Sequence, residues 1–311
     1  MTVFKRITLL ALIFSFFSAG ISAAEEKTKQ AALPGVTEFR QALRKVIVVK
    51  EEQFAGELDS YLRYMPSSGA SGQSGKVGIV DSVSEYSYEA KAFGKLPVEL
   101  VIGTEYMQIK NTTAIELPSH LTSVSFGLET IVPFFNLNKV YFSAGLASLF
   151  TSDDWDFHSS SFRIPQRYFL IYQPNEQLTL VCGVGVWPDY KETVWPIVGF
   201  IYKPNEKLIF NLVPKTPEIS YAVDERLTLF AQADMSQSEY EVTQGERKNA
   251  VLEYNEMHLG AGVRYKFNRR LRCSLSAGSI FNRSIKYRDD SLGKVAVEDG
   301  FYTEFRLDFG F

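Results

Sequence analysis

The sequence predicts an all-β chain, a transmembrane antiparallel up-and-down β-barrel of about 14 strands, with about 12 as the alternative. Three observations point there. Apolar and polar residues alternate over runs of about 9 to 15 residues, longer than the roughly 5 or 6 usual in soluble β-proteins. Short polar turns and longer loops alternate along the chain. Tyrosines and tryptophans gather near the strand ends.

The alternation is clearest at the C-terminus. Phe301, Thr303, Phe305, Leu307, Phe309 and Phe311 share one face, and Tyr302, Glu304, Arg306, Asp308 and Gly310 share the other. Successive side chains of a strand point to opposite faces, so this strand separates an apolar environment from a polar one. The same texture begins near residue 51. There Phe54, Gly56, Leu58, Ser60, Leu62 and Tyr64 interleave with Ala55, Glu57, Asp59, Tyr61 and Arg63. Residues 51–311 are therefore read as the barrel.

Tight turns are expected where Asn, Asp, Gly and Pro cluster, because these residues satisfy turn geometry locally. They fall at 94–97, 136–139, 174–176, 204–206, 224–226 and 268–270. Longer connections are expected at 67–76, 111–120, 152–161, 188–193, 214–217, 243–252 and 289–299. Short periplasmic turns and longer external loops are the asymmetry of outer-membrane barrels. Tyr172, Tyr202, Tyr221 and Tyr265 each precede a tight turn, and Trp155, Trp187 and Trp195 sit near the opposite ends. Both sets are expected in girdles at the water–lipid boundaries.

The N-terminus reads as a signal peptide over residues 1–24. Lys5 and Arg6 precede an apolar run from Ile7 to Phe17, and Ser22-Ala23-Ala24 offers cleavage near Ala24. Residues 25–50 are expected to form a periplasmic arm or a partly disordered segment. Past the signal, no stretch is long and apolar enough for a transmembrane helix. A closed barrel is the other structure that satisfies every backbone group in lipid. The formal net charge of −3 gives no reason to expect a nucleic-acid partner. Cys182 and Cys273 lack metal-ligand spacing and lie on apolar faces of strands far apart in the expected order. They are expected to be small apolar residues, not a disulfide. No cofactor is expected.

Two segments repeat: Tyr172-Gln173-Pro174-Asn175-Glu176-Gln177-Leu178 and Tyr202-Lys203-Pro204-Asn205-Glu206-Lys207-Leu208, with looser echoes from Tyr221 to Leu227 and Tyr265 to Leu271. Each reads as a hairpin with an aromatic anchor. The run from Trp195 to Tyr202, the turn from Pro204 to Leu208 and the strand from Pro217 to Tyr221 resemble a family of bacterial outer-membrane β-barrels of the domain of unknown function 6268 type. That resemblance implies a barrel and an outer-membrane location, and no activity. Terminal Phe311, preceded by Phe305, Leu307 and Phe309 in alternation, resembles the insertion signal read by the barrel-assembly machinery. The partners so implied are that machinery and the outer-membrane lipids.

Residues on the polar faces are expected to line the lumen: Arg163, Gln166, Glu239, Glu241, Arg264, Lys266, Glu304, Arg306 and Asp308. Mixed charges there would either pair across the interior and block it or line a narrow aqueous pore. The histidines are His120, His158 and His258. His158 lies beside Ser159, Ser160 and Ser161, but a nucleophile needs a base and a third orienting group, and no G-x-S-x-G elbow is present. Asp153, Asp154 and Asp156 form an acidic loop run without the EF-hand pattern. The functional expectation is an outer-membrane barrel acting as a passive pore or a structural envelope component, with no enzyme activity. The alternatives are a membrane-embedded lipid hydrolase using His158 or His258, and a surface adhesion or binding barrel.

Overall fold

The alternation of the last strand becomes an inside and an outside. In a computed structural model, Phe301, Phe305 and Phe309 are exposed, whereas Tyr302, Glu304, Arg306 and Asp308 are buried. The structure describes residues 55–311 apart from 94–95, 136, 154–160, 189–192, 215–216, 245–246 and 289–292. The signal peptide, residues 25–50, Trp155, His158, Ser159, Ser160, Asp154 and Asp156 lie outside the described residues.

The strands are β1 (Gly56–Gly69), β2 (Lys76–Ala92), β3 (Leu96–Asn111), β4 (His120–Pro133), β5 (Val140–Ser152), β6 (Phe162–Arg163), β7 (Gln166–Tyr172), β8 (Leu178–Val186), β9 (Val194–Tyr202), β10 (Leu208–Asn211), β11 (Glu218–Ala222), β12 (Leu227–Gln244), β13 (Arg247–Lys266), β14 (Leu271–Tyr287), β15 (Lys294–Val297) and β16 (Gly300–Gly310). β6 and β7 both pair with β5, and β15 and β16 both pair with β14, so each couple is one interrupted stave. The wall thus has 14 staves. Each pairs antiparallel with its sequence neighbours. β1 then pairs with β16, from Glu57 opposite Gly310 to Tyr64 opposite Thr303, and closes the ring. A closed ring leaves no strand edge in need of partners.

The turns at one end share a device. Asn175 Oδ1 accepts the backbone N–H groups of Gln177 and Leu178 at 3.0 and 2.9 Å. Asn205 does the same for Lys207 and Leu208, Asp224 for Arg226 and Leu227, and Asn268 for Arg270 and Leu271. A short polar side chain that bonds its own backbone two and three residues on reverses the chain without a long loop. Three residues before each Asx stands a Tyr, and Tyr172, Tyr202, Tyr221 and Tyr265 all point outward. These are the repeated hairpins of the sequence, and their tyrosines form the girdle at that end.

The outward residues make an apolar belt. Val263, Leu275, Phe305 and Leu62 follow one another across β13, β14, β16 and β1 as register partners. All four are exposed, as are Leu100, Phe126, Leu170, Leu180 and Val198 on other staves. Such a ring of large apolar side chains is unfavourable in water and favourable in hydrocarbon. Cys182 lies in this belt on β8 and Cys273 faces outward on β14.

At the end away from the short turns the ring narrows. β10 and β11 have 4 and 5 residues, whereas β12 and β13 have 18 and 20, so stave lengths depart from the expected range in both directions. Past the tips of the short staves, β5 meets β12 in a parallel bridge between Ser152 and Glu241, and Asp153 caps the N–H of Thr243. The strands that continue enclose an apolar cluster of Met65, Ile79, Met107, Leu121, Tyr240, Leu252, Tyr254, Ile285, Tyr287 and Val297. The connection between β3 and β4 folds onto it through Ile115 and Leu117, and Tyr287 donates to the carbonyl of Glu116 at 3.0 Å. Residues 243–244 and 247–252 consequently belong to β12 and β13 and not to the expected loop. The alternation of Tyr240, Val242, Leu252 and Tyr254 carries β12 and β13 on as a hairpin, because that face is buried in the cluster.

Candidate functional site

Between the apolar cluster and the short-turn end, a layer of charge crosses the interior. Its centre is Arg63 on β1. Arg63 Nε and Nη2 donate to Glu304 Oε2 at 2.9 and 2.7 Å. Nη2 also reaches Asp234 Oδ2 on β12 at 3.3 Å, and Nη1 lies 3.3 Å from His258 Nδ1 on β13. Glu256 Oε1 is 3.8 Å from Nη1. The guanidinium packs over the rings of Tyr61 and Tyr302, with centroids at 5.0 and 5.6 Å. One side chain therefore ties β1 to β12, β13 and β16 across the lumen. Arg63 is the register partner of Glu304 and Leu62 that of Phe305, so the charged layer lies level with the apolar belt.

Neighbouring pairs extend the layer. His258 Nε2 lies 3.2 Å from Glu256 Oε1, and its Nδ1 faces the Arg63 donor. The Nε2 contact to Glu256 is an ion-pair distance without hydrogen-bond geometry, whereas Nδ1 lies within hydrogen-bond reach of Arg63. Tyr254 donates to Glu256, and Tyr61 donates to Asp81 on β2 at 3.1 Å. Arg306 links Glu304 at 3.5 Å to Asp59 at 3.6 Å. Charges held in low dielectric are stabilised by pairing and hydrogen bonding, and Arg63, Glu304, Asp234 and Arg306 are paired in this way. Side-chain exposure falls along the barrel axis, from 25% at Arg264 to 2% at Glu256 on the same strand. The layer is thus wetter toward the short-turn end and sealed toward the apolar cluster.

The expected lumen residues divide. Glu304 and Arg306 belong to the charged layer, and Asp308 faces inward one step nearer the short turns. Arg264 faces inward, clamps Glu218 of β11 at 2.9 and 3.3 Å and packs over Phe230. Lys266 shares the inward parity of Arg264, and Arg163 is buried on β6. Gln166 is corrected: it stands on the outward face, where Tyr168 donates to its Oε1 at 2.8 Å. The register against β5 runs unbroken from Arg163 to Gln166, so odd-numbered residues face inward on both sides of Ile164-Pro165, and Arg167 takes the inward place. Glu239 and Glu241 are buried, but on the face of β12 opposite Asp234 and Tyr240. Glu239 pairs with Arg288 and Glu241 accepts from Ser161, so neither meets the Arg63 layer.

Two tryptophan expectations are also corrected. Trp187 is buried and Trp195 shares the inward parity of Ile197, so neither forms a lipid girdle. The Trp187 indole lies on Gly185, where a Cβ would come within 1.9 Å of the ring, so only glycine leaves room there. Of the hydrolase candidates, His258 has Glu256, Arg63, Asp234 and Tyr302 as its partners, none of them a serine nucleophile. His120 stacks on Tyr106 at the rim, with Ser119 Oγ 3.1 Å from Nδ1. The expected C-terminal residues Phe305, Phe309 and Phe311 are exposed, and Leu307 is half-buried between them.

The key residues missed in sequence were Arg63, Asp234 and Glu256. The signal for Arg63 was present in the alternation of β1. Asp234 and Glu256 needed the register of β12 against β13, which places Asp234 opposite His258.

A closed antiparallel barrel with an apolar outer belt and a charged, filled interior is a membrane-spanning β-barrel. The chain belongs to the family described as Domain of unknown function (DUF6268), whose model matches residues 96–310. Similar solved structures include an outer membrane channel from Pseudomonas putida F1, 11% identical, covering 84% of this chain and 96% of that one with a TM-score of 0.45. The P. putida toluene transporter TodX is 9% identical, covering 84% and 91% with a TM-score of 0.39. The NanC porin is 8% identical, covering 82% and 100% with a TM-score of 0.38. Comparison with curated proteins finds no match.

Proposed function

We propose that the protein is an outer-membrane pore, exported through a cleavable leader, whose passage is closed at rest by its own side chains. One observation carries this reading: Arg63, paired with Glu304 on the neighbouring stave, reaches across the interior to Asp234 at the level of the apolar belt. A purely structural barrel has little need for charges at that depth. An interior of well-packed apolar residues would be as stable or more so. A polar interior costs less if water and solute enter it when the lattice parts. The solute class is small and hydrophilic, in keeping with walls of carboxylate and guanidinium.

Conductance in planar bilayers tests this. Wild-type protein should show small or rare openings. Arg63→Ala, which removes the central tie, should raise conductance or open probability at least several-fold. A large steady wild-type conductance would contradict closure at rest. Silence in both proteins, with each shown to be folded, would make the barrel structural.

A further inference from the structure

Among the described residues Arg283 makes no ion pair, although it lies near Tyr254, which donates to Glu256. Arg283 is 2% exposed, and its Nε, Nη1 and Nη2 have no hydrogen-bond partner among the described residues. An arginine does not shed its proton, so the charge must be met by something else.

The backbone takes trouble to put it there. Asn282 adopts a left-handed φ of 55°, and the register of β13 against β14 slips between Asn255 and Met257. This bulge reverses the parity of β14, so that Ile280 before it and Arg283 after it both face inward. Ser68 and the guanidinium meet at one glycine. A Cβ added at Gly300 would lie 3.8 Å from Arg283 Nη2 and 2.6 Å from Ser68 Oγ. A cationic fork and a hydroxyl therefore converge on Gly300, with the Ser68 side chain lying over it. The cross-strand neighbour Val297 is apolar.

We propose that Arg283 and Ser68 form a binding site for a small oxyanion. Two oxygens of a carboxylate or phosphate accept from the planar guanidinium, as its geometry favours. The Ser68 hydroxyl donates to a further oxygen. The site goes beyond the pore reading and is tested without ion flow, so either one can fail alone.

The test is thermal melting of the full-length protein in detergent at constant ionic strength, with inorganic phosphate and acetate titrated separately. Wild type should show a saturable rise in Tm with at least one of the two, and the stronger response assigns phosphate or carboxylate. Arg283→Gln should weaken the apparent affinity by about tenfold or more. Gly300→Ala keeps the guanidinium but forces the Ser68 hydroxyl aside, and should also weaken binding. It serves if Arg283→Gln does not fold. The absence of a saturable rise in wild type would overturn the site, as would equal responses in wild type and every folded variant.

Discussion

Arg63 and Glu304 are register partners on the first and last strands of the barrel, joined by two hydrogen bonds at 2.9 and 2.7 Å. The seam that closes the ring is thus held by a buried ion pair as well as by backbone bonds. Removing one member leaves the other buried without its counter-charge, which costs about 3–5 kcal/mol. Arg63→Leu should lower unfolding stability in urea by that order, and Glu304→Gln by less because the amide still accepts a hydrogen bond. Equal, negligible losses in both would show that the seam does not depend on the pair.

The short turns offer a pH test. Backbone N–H groups of Arg226 and Leu227 hold the Asp224 carboxyl below its ordinary pKa, helped by the charges of Arg226 and Lys207. A group depressed on folding contributes stability above its unfolded pKa, about 3.9 for Asp, and that stability is lost as pH falls through the folded value. Wild type should therefore lose stability in acid relative to Asp224→Asn, which supplies the same acceptor without titrating. Asn175, Asn205 and Asn268 already hold the equivalent place. Parallel pH profiles for wild type and variant would remove Asp224 from the turn's energetics.

The belt makes a directional prediction. Leu275 is 58% exposed between Val263 and Phe305. Leu275→Arg should destabilise the barrel in lipid by about 2–4 kcal/mol, the cost of a cation near the bilayer midplane. The same change at exposed Glu225, in the β11–β12 turn, should be near neutral. Similar costs at the two sites, measured by unfolding from vesicles, would argue that Leu275 does not meet hydrocarbon.

The C-terminal residue joins the seam. Phe311 exchanges backbone bonds with Gly56 at 2.9 and 3.1 Å, and its ring stacks on Tyr86 with centroids 5.5 Å apart. Phe311→Ala should leave the inner face intact and lower the yield of folded, membrane-inserted barrel in cells. Undiminished insertion would set aside the reading of this residue as part of an assembly signal.

Much of the fold was legible because a two-sided strand writes its environment into every second residue. β16 and the four Tyr–Asx hairpins were readable in this way, and the alternation of short turns with longer connections along the chain leads to the 14 staves. Parity failed where the backbone broke it, at the Asn282 bulge that turned Arg283 inward. Gln166 is a different case: it and Arg163 have opposite parity on one stave of continuous register, so only one could face the lumen, and Arg167 stands inward beside Arg163. The outer end was misread for another reason. Glu239, Glu241 and Glu253 make the β12–β13 hairpin look solvated, yet each is buried, with Arg288 pairing Glu239 and lying near Glu253. The charged layer was only half visible, because Arg63 meets Asp234 across staves far apart in sequence.

Collision accessibility of spin labels measures the two faces directly. With Cys182 and Cys273 replaced by alanine, single cysteines from 301 to 309 are labelled in turn in reconstituted bilayers. Labels at 301, 303, 305, 307 and 309 should collide readily with dissolved oxygen, and those at 302, 304, 306 and 308 should not. A profile without this two-residue rhythm, or one with the faces exchanged, would mean that the outward phenylalanines do not lie in lipid.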